Sequence, residues 1–246
     1  MKVMTMLRIS QTITPAILAA ILVAGCGSAN GSDGPGGESS AGGLPEMSIG
    51  EADAPVTLIE YASITCGHCA QFHQDVLPAI KEDYVETGKV RFVFREFPTP
   101  PANIAIAGFA LARCAGEDKY FDVLEDLFEA QPGILMAARQ GAAGPALKTI
   151  AERHGIEGDE AFDACIKDTS IREDIADVVL SGDEFGISST PTLILQGEVL
   201  PSTVQSRTAE GLSELIDAEL AALGIAVETS GDTPEGEAAP ADETEN

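Results

Sequence analysis

Val56-Thr57-Leu58-Ile59-Glu60-Tyr61-Ala62 is an apolar, β-prone run; it leads into Cys66-Gly67-His68-Cys69, and a helix-patterned stretch from Ala70 to Glu86 follows. β-branched and aromatic residues bounded by polar ones read as a strand, so the two cysteines open a helix directly after a strand. A thiol at a helix N-terminus sees partial positive charge and unpaired backbone N–H groups, which stabilise its thiolate and lower its pKa. His68, between the cysteines, can add a donor or a cation. A C-x-x-C pair also occurs in zinc sites and, followed by His, in haem attachment. This chain has a single C-x-x-C, and Ala70 follows it. The strand-then-helix setting therefore favours a redox dithiol.

Working outward, the Ala70 to Glu86 helix contains Pro78, which predicts a kink. Val90 to Phe97 reads as a second strand, so strand, helix and strand form a right-handed βαβ unit. After Pro98, Pro100 and Pro101 the apolar period becomes helical. Ile104 to Cys114, Tyr120 to Ala130, Ala146 to His154, Glu160 to Lys167 and Ile171 to Leu180 suit amphipathic helices separated by Gly, Pro or Asp. Strand character returns at Thr192 to Leu195, turns at Gln196-Gly197 and resumes at Val199-Leu200 as a hairpin. A last helix, Ala209 to Ala222, closes the domain. The expected fold class is α/β, with a helical insertion at about 99–185 between the second and third core strands of a domain spanning 47–223.

The chain opens with Lys2 and Arg8, an apolar stretch from Ile13 to Val23, and Val23-Ala24-Gly25-Cys26. This is the layout of an export signal over 1–25, and the apolar stretch is shorter than the ~20 residues of a spanning helix. Val-Ala-Gly-Cys resembles the lipobox of bacterial lipoproteins. That resemblance implies a diacylglyceryl thioether on Cys26, which becomes the mature N-terminus and anchors the protein to a membrane. Gly27 after Cys26, where Asp is often linked to inner-membrane retention, hints at the outer membrane. An ordinary secretory signal, leaving Cys26 as a free thiol, is the alternative. Either way the protein is exported to the cell envelope, where disulfides are permitted. Residues 26–46, rich in Gly and Ser, read as a flexible tether, and 224–246, acidic and without a basic residue, as a disordered tail. The formal charge is −26, and it grows more negative when Lys2 and Arg8 leave with the signal. Such a surface repels phosphate backbones, so nucleic acid is not expected as a partner.

The pattern as a whole resembles the DsbA family of thioredoxin-fold oxidoreductases, over about Met47 to Leu223. The resemblance rests on Glu60-Tyr61-Ala62-Ser63, the C-x-x-C, Arg91-Phe92-Val93-Phe94-Arg95-Glu96-Phe97-Pro98, Ala112-Arg113-Cys114 and Thr190-Pro191-Thr192. It implies that Pro191 is cis and lies against the dithiol, leaving Thr190 main-chain groups for an extended peptide to pair with. From sequence alone Pro191 reads as a trans proline starting an edge strand. Cys66 is the expected exchanging thiol, and Cys69, a turn further in, the one that resolves the mixed disulfide. Glu60 matches a buried glutamate of the family, placed to take up or relay the Cys69 proton. Gly67-His68 departs from the Pro-His usual in DsbA and matches protein disulfide isomerase. Potentials of about −120 and about −180 mV for those relatives differ by roughly 3 kcal/mol, which predicts an oxidant milder than DsbA.

Cys114 and Cys165 are left over. Pairing Cys66 with Cys69 leaves Cys114 with Cys165, a disulfide expected in an oxidising compartment and worth on the order of 4 kcal/mol in the chain-entropy model. His73 reads as a helix-face residue and His154 as structural. No metal or cofactor is expected. The resemblance implies a thiol:disulfide oxidoreductase that passes its disulfide to exported substrate proteins with thiols and is reoxidised by a membrane redox partner. The alternatives are an isomerase or reductase, against which no N-terminal dimerisation domain is read, and a peptide-binding lipoprotein without catalysis, against which both cysteines argue.

Overall fold

The computed structural model describes residues 46–226. The expected export signal over 1–25, the expected lipidation site Cys26, most of the stretch read as a tether and most of that read as a tail lie outside them.

Among the described residues, five strands form one sheet: β1 (Met47–Ile49), β2 (Val56–Ala62), β3 (Val90–Glu96), β4 (Thr192–Leu195) and β5 (Glu198–Val199). Their order is β1-β3-β2-β4-β5. β2 and β3 run parallel, with Leu58 opposite Phe92 and Glu60 opposite Phe94, whereas β1 joins β3 and β4 joins β2 antiparallel. The central strand β2 is covered on both sides, which explains why apolar residues occupy both of its faces. On one face Val56, Leu58 and Ala62 join the main core; on the other Tyr61 packs with Val178, Ile187 and Ile194. Glu60 projects into the main core face and is wholly buried.

The parallel crossover from β2 to β3 differs from the single kinked helix read in the sequence. α1 (Gly67–Asp75) ends before Val76, α2 (Leu77–Ile80) restarts with Pro78 in its first turn, and a π-turn (Lys81–Val85) follows. Proline lacks an N–H, and a first helical turn does not need one, so Pro78 begins a helix here.

The insertion between β3 and β4 holds α3 (Ala102–Cys114), α4 (Glu117–Glu129), α5 (Gln131–Arg139), α6 (Ala143–Arg153), α7 (Gly158–Lys167) and α8 (Thr169–Ser181), then a 3₁₀ turn, Gly182–Phe185. α5 and the short β1 were not expected. A disulfide joins Cys114 on α3 to Cys165 on α7, with Cα atoms 5.9 Å apart. Beside it Arg113 makes a two-point contact with Glu96 (2.7 and 3.0 Å), and the Tyr120 hydroxyl donates to the same carboxylate at 2.9 Å. This buried cluster fixes α3 and α4 against the end of β3. After the Gln196-Gly197 turn between β4 and β5, where both residues have positive φ, α9 (Ala209–Ala222) packs Leu212, Ile216 and Leu220 into the core. Among the described residues no helix is long and apolar enough to cross a membrane.

Candidate active site

Cys66 caps α1 from an extended backbone, with no side-chain cap and no acid in the first turn of the helix. The helix N-terminus is therefore electrically uncompensated and available to the Cys66 sulfur. The loop presenting it is fixed on several sides. Gln131, from α5, donates through Nε2 to the carbonyls of Ile64 (2.8 Å) and Cys66 (2.9 Å). Thr65 donates to the Thr99 carbonyl at 2.8 Å, and the Thr99 N–H donates to Ser63 Oγ at 3.1 Å. Gly108 of α3 lets Ile64 lie so close that a Cβ there would sit 2.4 Å from Ile64 Cδ1.

The two cysteines are free thiols, Cys66 half-buried and Cys69 wholly buried. The Thr190-Pro191 bond is cis, and Cys66 Sγ donates to the Thr190 carbonyl at 3.3 Å. In this state that carbonyl is engaged rather than free for a peptide. A thiolate cannot donate, so ionisation or bonding of Cys66 would release it. The Cys66 pKa is lowered from 9.0 to about 5. The Cys69 thiol donating to the thiolate is the main cause, and the Thr190 side chain and the N–H groups of Cys69 and His68 add to it, outweighing the cost of partial burial. Cys69 moves the opposite way. Burial pushes its thiol far up, and the neighbouring Cys66 and the Glu60 charge push it further. One sulfur is thus an anion at neutral pH while the other holds its proton.

Glu60 is not an isolated acid. Its Oε2 lies 2.7 Å from Nε2 of His73, whose side chain is only 6% exposed, while its Oε1 is buried without a partner. The helix-face reading of His73 is corrected: one turn of α1 beyond Cys69 turns the ring inward, over β2 and β3. It stacks on Phe128 with ring centroids 4.0 Å apart and meets Phe94 edge-on. Helical spacing alone could place His73 on the same side as Cys69, but not show that Glu60 waits there. Gln131 carried no sequence signal, because its partners are backbone carbonyls far away in the chain. His154 pairs with Asp126 at 2.7 Å, away from the dithiol.

His68 is exposed and borders a groove with Phe72, Pro191, Leu193, Leu200 and Arg207. The structure thus brings Cys66, Cys69, His68, Glu60, Thr190 and Pro191 to one place, and keeps the Cys114–Cys165 disulfide in the insertion.

A family model described as Thioredoxin matches residues 44–218. A protein of Rickettsia bellii named putative protein-disulfide oxidoreductase is 29% identical over 128 residues, covering 52% of this chain and 48% of the relative. Disulfide bond formation protein D of Bacillus subtilis is 34% identical over 104 residues, covering 42% and 46%. The chain thus spans about half the length of these curated relatives. Among solved structures, a variant of alpha-DsbA1 from Wolbachia pipientis superposes with a TM-score of 0.61 at 25% identity, over 75% of this chain and 98% of that one. With a strand-to-helix dithiol beside a cis-proline and a helical insertion before β4, the chain belongs to the thioredoxin family, in its DsbA-like branch.

Proposed function

We propose that the protein is a thiol:disulfide oxidoreductase that donates a Cys66–Cys69 disulfide to exported proteins. The observation carrying this reading is the opposed ionisation of the two thiols, Cys66 lowered to about 5 and Cys69 pushed far up by burial. Reducing such a disulfide yields one stabilised thiolate and one stable thiol, so the protein favours its reduced form and oxidises its substrate. The names of the relatives, protein-disulfide oxidoreductase and disulfide bond formation protein, agree with this.

The groove bordered by His68, Phe72, Pro191, Leu193 and Leu200 offers an apolar floor beside Cys66, and an extended substrate pairs with Thr190 main-chain groups there. A substrate thiolate attacks Cys66 Sγ. The Cys66–Cys69 bond breaks, and the departing Cys69 sulfur takes a proton through Glu60. A second substrate thiolate then attacks the mixed disulfide, and Cys66 leaves as the anion that its surroundings favour. Two electrons have moved from the substrate to the dithiol. A membrane redox partner, linked to quinone, restores the disulfide.

The same reading places the protein on the periplasmic side of a bacterial membrane, exported by residues 1–25, held by lipid on Cys26 and spaced by a tether up to residue 46, with an acidic tail from 224. The Gly67-His68 pair supports a potential between those of DsbA and thioredoxin. Equilibrating the dithiol with glutathione and assaying a reduced peptide and a scrambled protein tests the proposal. We expect peptide oxidation and a potential near −180 mV. A potential at or below that of thioredoxin, or reshuffling without net oxidation, would overturn it.

A further inference from the structure

A second opening reaches the dithiol machinery. It is a cavity of about 330 Å³ whose walls include His73, Phe121, Lys81, Glu82, Glu86 and Glu125, and it shares no residue with the groove beside Cys66. α2 (Leu77, Pro78) and the π-turn that follows it form one side of it, and α4 forms another. π-turns are uncommon and often mark functional positions.

His73 spans the distance between this cavity and the buried acid. Its Nε2 is bound to Glu60 Oε2 at 2.7 Å. Among the described residues its Nδ1 has no hydrogen-bond partner, and it is not one of the buried side-chain atoms left unpartnered, which are Glu60 Oε1 and Arg113 Nη1. Nδ1 therefore keeps access to solvent. Phe72, Phe92, Phe94 and Phe128 surround the ring and hold its orientation. An imidazole can accept a proton on one nitrogen while giving up another from the opposite side. The charged groups around it are Glu60 from β2, Lys81, Glu82 and Glu86 from the segment after α1, and Glu125 from α4. Three carboxylates against one ammonium make the cavity mouth negative, which favours cationic proton carriers.

We propose that His73 is a relay residue carrying protons between this cavity and Glu60, so that Cys69 exchanges its proton by a route separate from the peptide groove. This rests on the proposed role of Glu60 at Cys69. When the Cys66–Cys69 disulfide is reduced, Cys69 leaves with the bonding electron pair and takes a proton from Glu60, which is reprotonated from the cavity through His73. When Cys69 attacks a mixed disulfide on Cys66, its proton leaves by the same path, the new Cys66–Cys69 bond forms, and the partner sulfur departs with the electron pair of the bond that breaks. A merely structural Glu60–His73 pair would need only the one hydrogen bond.

The test follows the reduced full chain reacting with glutathione disulfide, with acid-quenched mass analysis of the mixed disulfide on Cys66. His73→Ala and His73→Gln are both expected to slow its resolution by Cys69, on the order of 100-fold, so that the mixed disulfide accumulates. Added imidazole is expected to restore the rate of His73→Ala, whose missing ring leaves a path from the cavity, but not that of His73→Gln. A wild-type rate in His73→Gln, or no rescue of His73→Ala, would overturn the relay. Should the variants fold poorly, ring NMR of the wild-type protein decides. His73 ring signals that shift with dithiol state support the relay, and signals identical in the reduced and the oxidised protein overturn it. Glutathione exchange proceeds whichever way electrons flow to protein substrates. A failure of the donor proposal would therefore appear as loss of peptide oxidation with this exchange intact.

Discussion

At the scale of single residues, the site works by keeping two identical thiols in opposite protonation states. The Cys66 thiolate is supported by donors from Cys69, Thr190 and the helix backbone, so each donor has a separable effect. Thr190→Val keeps the shape of the side chain and removes its hydroxyl. It is expected to raise the Cys66 pKa from about 5 toward the ordinary 9.0 and to make the protein a weaker oxidant. Thiolate absorbance against pH checks this, and an unmoved midpoint would show that the hydroxyl contributes nothing. Both cysteines, Glu60 and Thr190-Pro191 were legible in the sequence because local order or family pattern fixes where they stand. His73 and Gln131 were not. Each acts on a group brought near only by the fold: Glu60, thirteen positions back, and the Ile64 and Cys66 carbonyls, reached from α5.

At the scale of elements, legibility followed length and burial. β2, β3 and α9 have enough apolar periodicity to be read, and the limits of α9 agree with those expected. β1 has three residues, too few for a period, and forms because β3 offers it an edge. α5 begins Gln131-Pro132-Gly133, residues that normally interrupt helices, but proline in the first turn starts one. Packing also overrides propensity at Gly211 in the first turn of α9. Replacing glycine by alanine in a helix normally gains about 1 kcal/mol. Here a Cβ would lie 2.4 Å from the Gln205 carbonyl oxygen and 2.7 Å from its Cα, which are backbone atoms that cannot rotate away. Gly211→Ala is therefore expected to destabilise by about 1–3 kcal/mol. It should also weaken peptide binding, because the turn from Gln205 to Arg207 contributes Ser206 and Arg207 to the groove. Urea unfolding and peptide titration read both effects, and a stabilised variant would show that the turn yields freely.

At the scale of the whole molecule, the oxidising power proposed for the dithiol must appear as a difference in folding stability between the two redox forms. In the reduced protein the folded pKa of Cys66 is about 5 against an ordinary 9.0. Between those values the unfolded chain holds a proton that the folded chain has released, so the stability of the reduced form rises with pH across that window. The contribution is complete above pH 9 and is lost as pH falls through 5. Cys69, shifted upward, has the opposite sign, but its effect begins only above the ordinary thiol value, where the unfolded chain ionises first. The oxidised protein has neither thiol to titrate. Surface carboxylates, numerous in a chain of formal charge −26, contribute to both forms alike and cancel in the comparison, as do the Cys114–Cys165 disulfide and the buried Arg113–Glu96 pair. Denaturant unfolding of reduced and oxidised protein at pH 5 and pH 8 should therefore show the reduced form gaining on the oxidised form as pH rises. A margin equal at both pH values would mean that the Cys66 thiolate is no better stabilised in the fold than in the unfolded chain. The dithiol would then lose its advantage as a donor, however well its geometry resembles one.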